Sequence, residues 1–361
     1  IGMLSLLHQT ELTPQQLDYA DKSQNAAHSL LALINDILDF SKVEAGKMTL
    51  DPQPFRLDQL LRELAVILSA NVGAKDIEVL YDVAPDVPLV LLGDSMRLQQ
   101  ILINLAGNAV KFTAHGQVVI AIGVAHRSEQ AAALQFAVKD SGIGIAPENQ
   151  SRIFAGFSQA EASTTRKFGG TGLGLGISKR LSEIMGGELH LQSALGEGST
   201  FGFTLEFPLP EVVPTERHTA PPPNEHARRV LVVDDNPVAR ALTARMAGSW
   251  QWSVDTVDSG EAALQRVASL CTGASFPYDV IYIDWHMPGI DGWETARRMR
   301  QLAPPDARNA LTIIMVTANS RGTLAQRTAQ EQALIDGFLV KPITASMLQE
   351  ATLSPRCARA G

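Results

Sequence analysis

Between residues 230 and 340 the chain repeats one pattern five times: a short β-branched or aliphatic run, then a helical stretch. The runs are Val230–Val233, Ser253–Val257, Val280–Ile283, Thr312–Val316 and Gly337–Val340. Helices are expected from Pro237, from Gly260, from Gly292, near 322–334 and, briefly, after the fifth run. Short apolar strands alternating with helices imply a parallel, doubly wound sheet buried on both faces. A sheet of that kind places its site at the carboxyl ends of its strands.

The polar residues gather at those ends. Asp234 and Asp235 follow the first strand, Asp284 the third, Thr317 and Ala318 the fourth, and Lys341-Pro342 the fifth. One Asp after a strand commonly caps the next helix. Five polar positions at matching strand ends point instead to a site. Clustered carboxylates repel, and their complement is a hard cation held by oxygens. A carboxylate beside such a cation can attack phosphorus, with a lysine and a hydroxyl holding the phosphoryl oxygens. Residues 229–350 resemble a response-regulator receiver domain of flavodoxin-like fold. The resemblance implies Asp284 as phosphoacceptor. Asp234, Asp235, Asp284 and the backbone carbonyl of His286 would hold Mg²⁺, and Thr317 and Lys341 would contact the phosphoryl group. Phe338 takes the place of the aromatic switch residue, a plain core Phe being the alternative.

Upstream, six of the sixteen residues from Pro208 to Pro223 are proline. Proline donates no ladder hydrogen bond and favours extended chain, so about 209–228 reads as a semi-rigid linker. At the other end, Ile1 to about Gln9 reads as the tail of a helix. Thr13-Pro14-Gln15-Gln16 supplies an N-cap, a proline at N1 and a capping-box Gln. Leu17, Ala20, Ala27, Leu30, Leu31, Ile34, Ile37 and Leu38 then recur at helical spacing toward Gly46. A stripe that long cannot bury itself, so a hairpin over 1–50 is expected to pair with a partner helix or a second copy.

Residues 54–208 read as α+β, with helices over 57–71, 94–112 and 174–186. Strands are expected over 77–83, 117–126, 132–139, 188–194 and 200–207, in antiparallel pairing where the link is short. There is no GxxxxGK[ST] and no protein-kinase catalytic loop. Asn104, Asn108 and Lys111 fall on one helix face, where amide oxygens can ligate Mg²⁺ and an ammonium can neutralise phosphate. A solvated helix face is the plainer account of the same spacing. Asp140-Ser141-Gly142-Ile143-Gly144 offers a carboxylate for an adenine amine and glycines for close backbone approach; turns use the same residues. Gly169-Gly170-Thr171-Gly172-Leu173-Gly174-Leu175-Gly176 runs into a helix, as a phosphate cradle does. Leu173 and Leu175 argue against a flexible linker there.

Together these three stretches resemble the GHKL (Bergerat) α+β sandwich of histidine kinases, type II topoisomerases, Hsp90-type chaperones and mismatch-repair ATPases. Phe154-Ala155-Gly156-Phe157-Ser158-Gln159 and Ser163-Thr164-Thr165-Arg166-Lys167 resemble the histidine-kinase branch, apart from Ala155-Gly156, where an acidic residue and a proline are usual. The resemblance implies Asn108 as Mg²⁺ ligand, Asp140 as adenine reader and Phe112 against the base. Asn104, Lys111 and Arg166 would contact phosphates, with Gly142, Gly144, Gly170, Thr171, Gly172, Leu173 and Gly174 lining the ATP pocket under a lid over about 158–173.

The whole chain thus resembles the core of a hybrid sensor histidine kinase, using ATP and Mg²⁺. None of the eight histidines is followed by an acidic residue with a Pro four residues after that, the family's phosphoacceptor context. The acceptor is therefore expected upstream of Ile1, in an intact protein anchored in a bacterial inner membrane, with this portion cytoplasmic. Its implied partners are a second copy through the hairpin, a histidine-phosphotransfer protein or domain, and a downstream response regulator. A net charge of −8 argues against a nucleic-acid coat. Two readings of other classes remain: a regulatory module with a degenerate ATP site and a working receiver, and a scaffold acting through the hairpin.

Overall fold

The computed structural model describes residues 1–73, 75–154, 172–210, 228–271, 276–304, 310–318 and 328–353. Most of the expected lid (155–171) and linker (211–227), with Ala155, Gly156, Arg166, Gly170 and Thr171, lies outside these residues.

A short helix, α1 (Gly2–Leu7), precedes the long α2 (Pro14–Glu44). The capping box forms: Thr13 Oγ1 accepts from the Gln16 amide, and the Gln16 side chain accepts from the Thr13 amide. The helix ends ahead of Gly46, whose φ of +64° suits a residue without Cβ. Leu30, Leu31, Ile34, Ile37 and Leu38 stay exposed along α2. Arg97 joins Asp39 at 3.0 Å, tying this helix to the next domain.

That domain contains β1 (Gln53–Arg56), α3 (Leu57–Val72), β2 (Asp76–Val83), β3 (Val90–Gly93), α4 (Ser95–Phe112), β4 (His115–Arg127), β5 (Ala131–Asp140), α5 (Pro147–Gln150), α6 (Gly174–Ile184), β6 (His190–Ala194) and β7 (Gly198–Pro208). Strands order β2-β4-β5-β7-β6 in one sheet, with helices against one face. Along β5, Ala132, Leu134, Phe136 and Val138 alternate into the core, as a half-covered sheet requires. The short links β4–β5 and β6–β7 give antiparallel pairs, as expected from the sequence. The pair β2–β4 is parallel, because the crossover through α4 returns the chain in the same direction. An additional two-stranded sheet of β1 and β3, four residues each, was not legible in the apolar pattern.

The C-terminal domain contains β8 (Arg229–Val233), α7 (Pro237–Gly248), β9 (Ser253–Val257), α8 (Gly260–Leu270), β10 (Val280–Asp284), α9 (Gly292–Leu302), β11 (Thr312–Thr317), α10 (Ala329–Gln332), β12 (Gly337–Val340) and α11 (Ala345–Leu353). All its strands are parallel, in the order β12-β11-β10-β8-β9. One core layer holds Trp285, Trp293 and Phe338; the other holds Trp250, Trp252 and Tyr282.

Candidate functional site

In the receiver-like domain β8, β10 and β12 deliver their last polar residues to one place. Lys341 Nζ lies 2.9 Å from Asp234 Oδ2 and 3.2 Å from Asp284 Oδ1. These three side chains are 2%, 5% and 4% exposed. Burial pushes the Asp284 carboxyl up to about 7, against the pull of Lys341. Asp234 is raised for the same first reason. Burial alone would lower the Lys341 ammonium, but the carboxylates of Asp284, Asp234 and Glu78 outweigh it and hold it charged.

Thr317 ends β11 fully buried, and its carbonyl accepts from the Lys341 amide at 2.7 Å. Gly292 opens α9 so close to the site that a Cβ there would lie 2.3 Å from the Asp284 carbonyl oxygen. Phe338 is buried edge-on to Trp285, with ring centroids 6.1 Å apart. His286 is exposed and stacks on Trp285.

The carboxylates of Glu78, Asp234 and Asp284 each have an oxygen within 4.8 Å of the others. Asp235 is exposed and stands outside this close group, which takes its third carboxylate from β2 of the neighbouring domain. A charged residue in the otherwise apolar run Ile77–Tyr81 was the signal available in the sequence, and nothing local told which partner it would meet. The donors are all hard oxygens, partly neutralised by one ammonium, which suits a small divalent cation.

The second site lies between α4 and the β5–α5 turn. Asp94 caps α4 by accepting from the Arg97 amide at 3.0 Å. Leu98, Ile101, Leu102 and Leu105 face the core, leaving Asn104, Asn108, Lys111 and Phe112 half-buried on the other side. Asn104 Nδ2 donates toward the Gly174 carbonyl and Ser178 Oγ, both at 3.4 Å, joining α4 to the N-terminus of α6. Lys111 Nζ sits 4.9 Å from the Phe112 ring centroid, and burial lowers its ammonium below the ordinary lysine value.

Asp140 is 7% exposed, and burial raises its carboxyl while the amides of Gly142 and Ser199 pull it back down. Gly142 N donates to Asp140 Oδ1 at 2.8 Å. A Cβ on Gly142 would lie 2.6 Å from the Phe112 carbonyl oxygen, and one on Gly144 (φ +67°) only 1.9 Å from that of Ala194. These glycines therefore let the turn seal against α4 and β6. Gly172 also has a positive φ, and Leu173 is buried in the core, which anchors the end of the glycine-rich stretch ahead of α6.

Lys75, not anticipated from the sequence, donates from Nζ to the carbonyls of Val110 at 2.6 Å, Lys111 at 3.0 Å and Thr113 at 3.3 Å. It thereby satisfies the orphan carbonyls at the end of α4.

A helical hairpin, a Bergerat-type nucleotide domain and a receiver-like domain on one chain define the architecture of a phosphotransfer protein. Three family models match in the same order: "His Kinase A (phospho-acceptor) domain" over residues 1–46, "Histidine kinase-, DNA gyrase B-, and HSP90-like ATPase" over 93–211, and "Response regulator receiver domain" over 230–353. The chain belongs to the hybrid histidine kinases, and its ATPase-type domain implies ATP binding.

The sensor histidine kinase GacS of Pseudomonas protegens is 44% identical over 240 residues, covering 66% of this chain and 26% of that protein. The sensory/regulatory protein RpfC of Xanthomonas campestris pv. campestris is 32% identical over 374 aligned residues, 96% of this chain and 50% of that protein. The chain thus spans about a quarter of the length of GacS and half that of RpfC. Among solved structures, full-length ShkA in complex with AMPPNP matches at 26% identity and a TM-score of 0.49, covering 97% of this chain and 94% of that one. Among the described residues no helix is long and apolar enough to cross a membrane.

Proposed function

We propose that this chain is the kinase and receiver portion of a phosphorelay protein. It binds ATP between α4 and the Asp140 turn, and it accepts a phosphoryl group at Asp284. The domain bounds are 1–50 for the hairpin, 54–208 for the ATP domain, 209–228 for the linker and 229–350 for the receiver. The exposed Leu and Ile stripe of α2 supports pairing of two copies through the hairpin.

At the ATP site Asp140 accepts from the adenine amine, and Phe112 lies against the base. Asn104, Lys111, Arg166 and the 170–174 loop hold phosphates, and Asn108 ligates Mg²⁺. At the receiver Asp234, Asp235, Asp284 and the His286 carbonyl hold Mg²⁺, which neutralises charge on the transferring group. An Asp284 oxygen forms the new bond to phosphorus as the bond from phosphorus to a histidine nitrogen breaks. That imidazole then takes up a proton. Thr317 and Lys341 orient the phosphoryl oxygens, so positioning and electrostatics supply the catalysis. A histidine of the intact, membrane-anchored protein is the donor, and a histidine-phosphotransfer partner and a response regulator complete the relay.

The observation that carries this reading is Lys341 Nζ set between Asp234 and Asp284 at the carboxyl ends of three parallel strands. Incubation with Mg²⁺ and acetyl phosphate should give an alkali-labile acyl phosphate on the chain. The Asp284→Asn variant should give none. Equal labelling of the two would overturn the assignment.

A further inference from the structure

The receiver pocket does not open to solvent on all sides; the ATP domain covers one of them. Glu78 on β2 reaches across, with Oε1 3.0 Å from Lys341 Nζ and Oε2 accepting from Asn236 Nδ2 at 2.9 Å. Asn236 is also the N-cap of α7, accepting from the Val238 amide at 2.9 Å. Around this polar centre lies an apolar seal in which Leu80, Ala239 and Leu242 are 5%, 2% and 7% exposed. The remaining gap, beside Leu80, Leu242, Met246 and Ile343, is about 10 Å³, near the lower limit for one water. At the rim, Arg245 pairs with Asp82, and Arg62 pairs with Glu350 at 2.9 Å. Ser69 Oγ donates to the Lys341 carbonyl at 3.3 Å.

We propose that the face of the ATP domain around β2 is a docking surface for the receiver's own acidic pocket, and that docking and loading of that pocket exclude one another. The inference rests on the reading of Asp284 as phosphoacceptor. Its reason is the shared ammonium. Lys341 gives a hydrogen bond to Glu78 in the docked arrangement, and a phosphoryl group on Asp284 needs the same donor. The added group also brings negative charge against the Glu78 carboxylate in a dry site, where like charges repel strongly. Glu78 therefore acts as a plug carrying the charge of the group it keeps out. Loading expels it, and the apolar seal and the Arg245–Asp82 pair part with it. By linkage, whatever holds the domains together weakens loading by the same factor.

The test uses the full chain with Mg²⁺ and beryllofluoride, an inert mimic of a carboxylate-bound phosphoryl group. All four tryptophans lie in the receiver, at 250, 252, 285 and 293, so their fluorescence reports loading. Hydrogen exchange over residues 76–83 and 237–248 reports docking. Loading should raise exchange in both segments. Glu78→Gln and the exposed-site variant Arg245→Glu should each bind beryllofluoride at least roughly fivefold more tightly, the lower end of ordinary coupling between sites. The double exchange Asp82→Arg with Arg245→Glu should return the affinity toward that of the wild type.

Full loading by fluorescence with unchanged exchange would overturn the inference while leaving the phosphoacceptor reading intact. So would variants that titrate like the wild type. No fluorescence response in any chain would sink both.

Discussion

Lys341 Nζ and Asp284 Oδ1 stand 3.2 Å apart although they end strands that do not touch, since β11 lies between β10 and β12. The long lysine reaches across the intervening strand end, over buried Thr317. The ammonium faces Asp284, Asp234 and Glu78 together and, among the described residues, is the positive charge paired with all three.

Removing it should therefore cost stability. Lys341→Ala leaves buried carboxylates without a counter-charge, a loss of at most about 3–5 kcal/mol. Asp284, raised by burial to about 7, can take up a proton and soften the loss. Mg²⁺ should restore part of it, raising the thermal midpoint more in the variant than in the wild type. Equal Mg²⁺ shifts in scanning calorimetry would count against a cation site.

Nucleotide binding should depend on one buried carboxylate. Asp140→Ala removes a charged acceptor whose hydrogen bond is worth about 1.5–3 kcal/mol, so a non-hydrolysable ATP analogue should bind roughly 10- to 100-fold more weakly by titration calorimetry. An unchanged Kd would favour the regulatory module with a degenerate ATP site.

Two glycines of similar φ should respond differently to alanine. Gly46 (φ +64°) has nothing within 4 Å of an added Cβ, so Gly46→Ala should cost only about 1–2 kcal/mol of backbone strain. At Gly144 (φ +67°) the added Cβ would lie 1.9 Å from a main-chain oxygen, so the β5–α5 turn must move as well. Urea unfolding should rank Gly144→Ala well below Gly46→Ala, and nucleotide affinity should fall with it.

The first helix should be pH-sensitive. Both ring nitrogens of His8 face acceptors, the Leu4 carbonyl at 2.8 Å and the Asp21 carboxylate at 2.7 Å. The Leu4 carbonyl first, and Asp21 second, raise its pKa above 6.5. A raised folded pKa stabilises the α1–α2 contact at pH below 6.5, and that support is lost as pH rises through the folded value. Histidine proton shifts should report a midpoint above 6.5 that drops in Asp21→Asn. A midpoint unmoved by that substitution would refute the pairing.

Much of the hairpin and the ATP domain could be read locally. The α4 face, the Asp140 turn and the capping box at Thr13 follow from spacings of three to four residues, and the chain realises each where the spacing puts it. The short strands β1 and β3 could not be read that way, because four residues carry too little alternation to separate a strand from an extended loop. Lys75 was equally invisible, since its partners are main-chain carbonyls, which leave no mark in the side-chain sequence.

What the sequence by itself determined is the order of three domains and the chemistry at their strand ends. Periodicity and strand-end polarity are local properties, fixed by which side of a helix or strand each residue occupies. What only the tertiary structure decided is which carboxylates share one ammonium. Asp235 is next to Asp234 in sequence but stays exposed, whereas Glu78, 156 positions before Asp234, enters the pocket. Adjacent residues on an extended chain point to opposite sides, and a distant strand can fill the space they leave. That choice depends on how two domains pack, and no stretch of sequence carries it.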